Sequence, residues 1–240
     1  MNPIVIIPTY NEKENISQML EKVMSLNPKF DVLVVDDNSP DMTGRLVKEK
    51  QSIYDRINLL ENGEKNGLGT AYIAGFKWCL QRGYDYIFEM DCDFSHNPDD
   101  LVRLYAEVQK NNVDMVVGSR YIGNVVNVVN WPMSRVLLSY FASAYVRFFT
   151  GMNLADSTAG FVGYTKELLS IIDLDKIKFR GYAFQIEMKY TSFRLGYKIS
   201  EIPIIFTDRT AGESKMSGGI IREALFGVIR LRFKKIKPKK

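Results

Sequence analysis

Two aspartates, Asp91 and Asp93, form the most chemically informative pair in this chain. They follow an apolar run, Tyr84–Phe88, that is typical of a buried strand, and Pro98 opens a helical segment just beyond them. Carboxylates at this spacing, in the loop after a strand, can both turn toward one divalent cation. Mg²⁺ and Mn²⁺ prefer oxygen ligands and often bind through carboxylates plus substrate phosphates, so the pair predicts such a metal on a nucleotide diphosphate. Turn residues before a helix cap are the alternative interpretation.

These aspartates must be positioned by the elements around them, and the chain alternates strands with helices. Short apolar or β-branched runs predict strands that are buried on both faces. The runs are Ile4–Ile7, Val32–Val35, Ile57–Leu60, Tyr84–Phe88 and Val113–Val117. Helices are predicted between them, at about 13–26, 43–54, 68–82 and 98–110. The alternation predicts an α/β fold with a Rossmann-like, open, mostly parallel sheet flanked by helices.

Polar clusters follow four of these strands. Thr9–Glu12 comes after the first strand, Asp36–Ser39 after the second, Asp91 and Asp93 after the fourth, and Ser119–Tyr121 after the fifth. The carboxyl ends of parallel strands form the edge at which open α/β sheets bind ligands. The sequence therefore predicts a binding site along this edge.

The common nucleotide-binding motifs are absent. No GxGxxG follows the first strand and no GxxxxGK[ST] occurs, which argues against a dinucleotide-dependent dehydrogenase or a P-loop protein. Lys65, Gly67 and Gly69 nevertheless open a helix, where glycines would allow a phosphate or sugar to approach the backbone closely. A flexible loop with a helix cap explains the same residues equally well.

Composition favours a soluble globular protein with one large α/β domain or a domain with an appendage. The chain has 240 residues, of which 46% are hydrophobic and 25% charged. Cys79 and Cys92 imply no disulfide framework, which suits a reducing cytosol. The apolar start is too short for a signal peptide, and no run reaches the ~20 apolar residues that span a bilayer.

The second half contains two segments that suggest a membrane surface. Residues 124–150 are apolar and aromatic and include Arg135 and Arg147, so the segment is either buried core or, as we favour, a helix at a membrane interface. Ile199–Thr207 is predicted to be an edge strand, because Pro203 lies inside it. The last predicted helix, at about 220–233, has an apolar stripe with charged residues beside it, as an amphipathic interfacial helix has.

Charge is concentrated at the C-terminus. From Arg222 onward there are eight basic residues and one acid, so the rest of the chain is mildly acidic although the net charge is +4. An acidic body argues against nucleic-acid binding. A local basic tail favours an anionic membrane surface, and a solvated, disordered tail is the alternative. We therefore divide the chain into a catalytic domain, 1–217, and an amphipathic helix with a basic tail, 218–240.

Taken together, the motifs resemble those of the inverting glycosyltransferases of family 2, and most closely the dolichyl- or polyprenyl-phosphate mannose synthases. The matching segments are Pro8–Glu12, Asp36–Asp41, Gly67–Tyr72, Met90–Pro98, Gly118–Tyr121, Asp156–Phe161, Gly181–Glu187, Glu201–Ile204, Asp208-Arg209 and Ser214-Lys215. They cover roughly residues 3–217. The resemblance is to the short members without transmembrane helices, which implies a GT-A type fold and a peripheral location on the cytoplasmic face of a membrane.

The resemblance also implies a role for each matching residue. The donor pocket would be lined by Pro8, Tyr10, Glu12 and Asp37. The metal on the donor diphosphate would be held by Asp91, Asp93 and Ser95. Phosphates of donor or acceptor would meet Arg120, Arg135, Arg209 and Lys215. Asp91, Asp93, Arg209 and Lys215 would carry the catalysis, with Mg²⁺ or Mn²⁺ as cofactor.

The implied reaction transfers a hexose, mannose from GDP-mannose, to a polyprenyl monophosphate. A phosphate monoester has a second pKa near ~6, so it is largely ionised at neutral pH and needs no general base. A hydroxyl acceptor would need one, and Glu187 is then the candidate; another donor sugar, such as glucose, is a further alternative. A non-catalytic nucleotide-sugar-binding subunit is the rival from another class. The sequence leaves open whether an integral-membrane partner anchors the basic tail.

Overall fold

The strands and helices alternate through the first half of the chain, as predicted. In the computed structural model the described residues are 2–64, 67–110, 112–181, 183–208 and 218–239, without the side chains of 124 and 218–225. The strands are β1 (Pro3–Thr9), β2 (Asp31–Asp36), β3 (Ile57–Glu61), β4 (Tyr86–Glu89), β5 (Met115–Ser119), β6 (Val128–Val129), β7 (Val162–Thr165), β8 (Ile199–Pro203) and β9 (Phe206–Thr207). The helices are α1 (Ile16–Met24), α2 (Thr43–Gln51), α3 (Leu68–Gln81), α4 (Asp100–Val108), α5 (Met133–Thr150), α6 (Lys166–Ile171), α7 (Ala183–Arg194) and α8 (Gly218–Phe233).

Seven of these strands form one mostly parallel sheet in the order β3-β2-β1-β4-β7-β5-β8, which confirms the predicted fold class. β7 is the exception, because it runs antiparallel to both β4 and β5. The sequence predicts a strand directly after the polar turn Asp156–Phe161, and β7 confirms it, but the antiparallel direction of this strand was not predicted. β8 closes one end of the sheet, which confirms the predicted edge position, but the strand ends at Pro203, and Phe206–Thr207 form the separate strand β9 paired with β6. The first four predicted helices each lie inside their predicted ranges, and α8 begins two residues before its predicted start.

Helices cover both faces of the sheet, which is why the central strands are apolar throughout. On β1, Val5 and Ile7 pack on one side against α1, α2 and α4. Ile4 and Ile6 pack on the other side against α3, α6 and α7. All four side chains are buried. Side chains alternate along a strand, so burial on both faces leaves no position for a polar residue until the strand ends.

A third, smaller apolar cluster joins the C-terminal helix to the body of the protein. Val228 and Leu231 of α8 are buried against Val146 of α5 and against Ile186 and Tyr190 of α7. The predicted division at residue 217 stays a prediction, but α8 shares a core with two helices of the preceding region. Its removal would therefore expose apolar surface on both of them.

Candidate active site

The polar clusters that follow β1 and β2 meet at the carboxyl edge of the sheet. Because the two strands are parallel neighbours, with Thr9 opposite Asp36, their ends lie side by side. Thr9 Oγ1 donates to Asp36 Oδ1 at 2.8 Å, and Ser39 Oγ donates to the same oxygen at 2.6 Å. The hydrogen bonds of Asp36 therefore link the two loops. This bonding leaves its neighbour Asp37 as the carboxylate of the pair better suited to a ligand.

The residues predicted to line the donor pocket lie in these two loops. Asp37 is buried, and its Oδ1 accepts a hydrogen bond from Asn62 Nδ2 at 2.8 Å. Pro8 and Tyr10 are half-buried, and so is Glu12, whose backbone N–H donates to Thr43 Oγ1 at 3.0 Å. The structure therefore gathers Pro8, Tyr10, Glu12 and Asp37 into one region beside the first two strands. Lys65, the other predicted donor contact, lies outside the described residues.

The helix-opening glycines have an explanation that needs no ligand. A Cβ on Gly69 would lie 2.6 Å from the carbonyl oxygen of Phe179 and 2.9 Å from the ring of Phe184. The Gly69 N–H also donates to Arg180 O at 2.8 Å. The glycine is required because α3 packs directly on the chain before α7. Packing thus explains Gly69 without a ligand, and the predicted close approach of a phosphate or sugar stays a prediction.

The two aspartates of the acidic loop differ in exposure. The Asp93 side chain is buried and its Oδ1 accepts from the backbone N–H of Ser95 at 3.1 Å. The Asp91 side chain is 39% exposed. Phe94, between Asp93 and Ser95, has φ of 58°, a left-handed conformation that a bulky residue rarely adopts. Strain of this kind is concentrated at functional sites, where the surrounding fold holds the loop in one geometry.

His96 is a buried residue that holds this loop in place. Its Nδ1 accepts a hydrogen bond from the Asp91 N–H at 3.2 Å. Its ring stacks on Phe161 at 4.9 Å and meets Phe206 edge-on at 5.4 Å. Burial lowers the pKa of His96 to about 4, in spite of the opposing effect of Asp93. The imidazole is therefore neutral at physiological pH and can act as the acceptor that fixes the Asp91 backbone.

Arg120 forms the most completely buried ion pair among the described residues. Its Nε and Nη2 donate to the two carboxylate oxygens of Asp156 at 2.7 and 2.8 Å, and Nη2 also donates to Thr158 Oγ1 at 2.8 Å. Burial by itself would raise the pKa of Asp156, but the adjacent guanidinium outweighs it and lowers the pKa. The remaining group, Nη1, has no hydrogen-bond acceptor within the described ranges. The pair fixes Arg120 at the end of β5.

Arg135 lies in a second basic position, at the start of α5. Its Nη1 donates to Asp208 Oδ1 at 2.9 Å, and its guanidinium lies 4.1 Å from the centre of the Trp131 ring. Both partners of the ion pair are a little more than a quarter exposed. Arg209 and Lys215, which the sequence places just beyond Asp208, lie outside the described residues, so their predicted roles stay predictions.

One cavity connects the acidic loop to this basic region. It has a volume of about 380 Å³. Its lining residues are Asp93, Phe94, Asn97, Pro98, Ile205, Thr207 and Asp208. Two of these residues are acidic, Asp93 and Asp208, and Asp208 is paired with Arg135. The cavity therefore joins a carboxylate of the acidic loop to the ion pair at the start of α5.

The residues of the acidic loop fit a divalent cation that is completed by substrate oxygens. Ser95 Oγ is buried and has no hydrogen-bond partner among the described residues, although it lies two residues from Asp93. An orphaned hydroxyl of this kind is costly unless something else binds it. No group of three or more His, Cys, Asp or Glu side chains in the described ranges is arranged to hold a metal. Mg²⁺ is commonly bound in this way, through few carboxylates plus phosphates.

A buried polar network beneath the site was missed by the sequence reasoning. Glu89, at the end of β4, accepts from Tyr164 Oη at 3.0 Å and from Gln185 Nε2. Lys189 Nζ donates to Ala159 O at 2.7 Å. Burial raises the pKa of Glu89 and lowers that of Lys189. The only sequence signals were charged residues inside otherwise buried elements, since the partners come from four separate segments.

Glu187, the base proposed for a hydroxyl acceptor, does not face this site. Its Oε2 accepts from the backbone N–H groups of Lys178 and Phe179 at 2.8 and 2.9 Å, and its Oε1 binds Lys234 Nζ. The side chain is 1% exposed. Its oxygens are occupied by a backbone turn and by the C-terminal segment, so the prediction of Glu187 as a general base is wrong.

A mostly parallel sheet with an acidic pair after its fourth strand, and arginines at the same edge, defines a GT-A-type glycosyltransferase. Residues 4–172 match the Glycosyl transferase family 2 model, and the chain belongs to that family.

Similar proteins extend this match over nearly the whole chain. Undecaprenyl-phosphate mannosyltransferase of Micrococcus luteus is 46% identical over 230 residues, which are 96% of this chain and 93% of that protein. Polyprenol monophosphomannose synthase of Mycolicibacterium smegmatis is 45% identical over 227 residues, 94% of this chain and 84% of the relative.

Solved structures agree on the fold. Glucosyl-3-phosphoglycerate synthase from Mycobacterium tuberculosis, in complex with Mn²⁺, UDP and glucosyl-3-phosphoglycerate, superposes with a TM-score of 0.70 at 17% identity. The match covers 96% of this chain and 79% of that one. At this identity the likeness supports the fold alone.

Proposed function

We propose that this chain transfers mannose from GDP-mannose to a polyprenyl monophosphate, with inversion at the anomeric carbon and with Mg²⁺ or Mn²⁺ on the donor diphosphate. The observation that carries the proposal is the cavity lined by Asp93 and Asp208, because it joins a carboxylate that would hold the donor's metal to the ion pair of Asp208 with Arg135, which would meet the acceptor phosphate. The relatives that match almost end to end are a mannosyltransferase and a mannose synthase of polyprenyl phosphates. The solved neighbour of the same fold is in complex with Mn²⁺ and UDP, a metal and a nucleoside diphosphate of the kinds proposed here.

The proposed chemistry needs no general base. The acceptor monoester is largely dianionic at neutral pH, so a phosphate oxygen can attack the anomeric carbon from the face opposite the leaving diphosphate. Asp91, Asp93 and Ser95 would hold the cation, which as a Lewis acid stabilises negative charge on the departing diphosphate. Arg135 would neutralise the acceptor phosphate through a forked guanidinium.

The donor nucleoside would occupy the loops after β1 and β2, where Pro8, Tyr10, Glu12 and Asp37 lie. Asp37 is already oriented by Asn62, so its carboxylate is preorganised for a ribose or base contact. Arg120, Arg209, Lys215 and Lys65 complete the predicted set of phosphate-binding cations, and Arg120 would use the Nη1 group that Asp156 does not engage.

We also propose that the protein docks on an anionic membrane, on its cytoplasmic face, through α5 and α8. Large apolar side chains are exposed on both helices, and we call this set the apolar face. It consists of Met133, Leu137, Leu138, Phe141, Phe148, Phe226 and Phe233. No helix in the described part of the chain is long and apolar enough to span a bilayer. Arg230, Arg232 and Lys235 are exposed in the same segment, and Arg232 lines a cleft with Phe148 and Phe233 of the apolar face, as an interfacial helix would have it. An integral-membrane anchoring partner stays a prediction.

The test is transfer of labelled sugar into an organic phase. Purified protein would be mixed with a polyprenyl phosphate and, in parallel, with GDP-mannose, UDP-glucose or UDP-N-acetylglucosamine, in Mg²⁺, Mn²⁺ or EDTA. We expect lipid-soluble product from GDP-mannose alone and none in EDTA. Product from another donor would overturn the sugar assignment, and undiminished transfer in EDTA would overturn the metal assignment. Transfer only to hydroxyl acceptors would reject the lipid-phosphate reaction.

A further inference from the structure

Trp131 lies between the two basic positions of the site. It precedes α5, and its ring centre is 4.1 Å from the Arg135 guanidinium and 5.4 Å from that of Arg120. The ring also packs edge-on against Phe206 at 5.2 Å. Phe206 in turn contacts His96, which supports the acidic loop. The indole is therefore held in place on one side by aromatic packing and faces two guanidinium groups on the others.

The indole N–H of Trp131 lacks a hydrogen-bond acceptor. Nε1 is buried, yet within the described ranges no acceptor lies in hydrogen-bond distance. A buried tryptophan N–H usually has a partner, because the group can only donate and loses its water on burial. An unsatisfied donor beside two guanidinium groups is a position suited to an anionic oxygen.

We propose that Trp131 binds the phosphate of the polyprenyl monophosphate acceptor. Its N–H donates to a non-bridging phosphate oxygen, while its ring holds the Arg135 guanidinium by a cation–π contact in the orientation that binds the same phosphate. The assignment rests on the proposed function. We assign the acceptor phosphate because Trp131 contacts Arg135, the cation proposed above for the acceptor, whereas the acidic loop is proposed to hold the donor diphosphate.

Two substitutions separate the N–H from the ring. Trp131→Phe keeps an aromatic face for Arg135 and removes the N–H, so we expect a rise of about tenfold in KM for the acceptor with an unchanged KM for GDP-mannose, the effect of one lost hydrogen bond to a charged group. Trp131→Leu removes both contacts, and we expect a larger rise, on the order of 100-fold. Melting temperatures would be measured for each variant.

The chain offers a matched control in its other tryptophan. Trp78 packs under Arg82 at 3.7 Å on α3, so Trp78→Phe alters the same kind of contact elsewhere in the fold. We expect no change in either KM. Because the chain has two tryptophans, this variant also leaves Trp131 as the single indole fluorophore. Farnesyl phosphate should change its emission at concentrations where farnesol does not.

The outcomes discriminate between the two proposals. Wild-type protein that makes no mannosyl lipid would reject the proposed function, and the fluorescence titration would still report on phosphate binding at Trp131. An acceptor KM within twofold of wild type in Trp131→Phe would overturn the role of the N–H. Equal rises in both KM values, or equal responses to farnesyl phosphate and farnesol, would show a structural role only.

Discussion

The carboxyl edge of the sheet and the apolar face differ in which kind of side chain is buried and which is exposed. At the sheet edge, the charged pair Asp156 and Arg120 and the ionisable Glu89 are buried and are hydrogen-bonded within the protein. Along α5 and α8, large apolar side chains are exposed, including Phe148 at 83% and Phe233 at 80%. Buried charge needs preorganised partners, whereas exposed apolar surface of this extent indicates an interaction site. The comparison separates a rigid region suited to chemistry from a surface suited to a membrane.

Asp93→Asn tests this comparison with the largest expected effect. The substitution should lower the rate of transfer and leave membrane binding unchanged. The substitution keeps the size of the side chain but removes a charge that would hold the metal, an effect worth several kcal/mol, or about 10³-fold in kcat. Transfer assays would measure the loss, and Asp55→Asn, in an exposed turn, is the control. Activity within tenfold of wild type would contradict a metal role for Asp93.

Breaking the Arg120–Asp156 pair should cost stability rather than chemistry alone. Asp156→Asn leaves a buried guanidinium without its counter-charge, and we expect the free energy of unfolding at pH 7 to fall by about 3–5 kcal/mol. Urea denaturation would measure it. Asp175→Asn, which removes an exposed ion pair with Lys77, should change stability by about 1 kcal/mol or less.

The same pair sets an acid dependence of stability. The folded-state pKa of Asp156 lies below its ordinary value of about 3.9, so its contribution is complete above that value and is lost as the pH falls through the folded pKa. The Asn variant should lack this part of the acid dependence below pH ~4. An unchanged slope would assign the dependence to other carboxylates.

The smallest expected effect lies on the apolar face. Replacing Phe148 and Phe233 together by serine should weaken binding to anionic vesicles about tenfold or more per residue, because each ring loses apolar area that the bilayer would bury. Stability in solution should change little, since both rings are exposed in the folded protein. Ile53→Ser, an exposed apolar residue after α2, is the control. Unaltered vesicle binding would contradict the proposed role of the apolar face in membrane binding.

Local pattern predicted the elements of the fold and the edge where the site lies. Runs such as Val32–Val35 and helical periodicity depend on neighbours in the sequence, so they can be read directly. The parallel arrangement of β1, β2 and β4 then brings Asp37 and Asp93 to one edge. The strand after Phe161 follows from its polar turn, but the antiparallel insertion of β7 between β4 and β5 depends on distant partners and could not be predicted.

The sequence by itself determined the acidic pair, the alternation of elements and the likeness to family 2 glycosyltransferases. Only the tertiary structure decided how individual side chains are used. It paired Glu187 with Lys234, Arg120 with Asp156 and Trp131 with Arg135. The first two pairs join residues far apart in the chain. Residue type gives the chemistry that a side chain can perform, whereas packing decides which partners remove it from solvent and which groups remain available for a ligand.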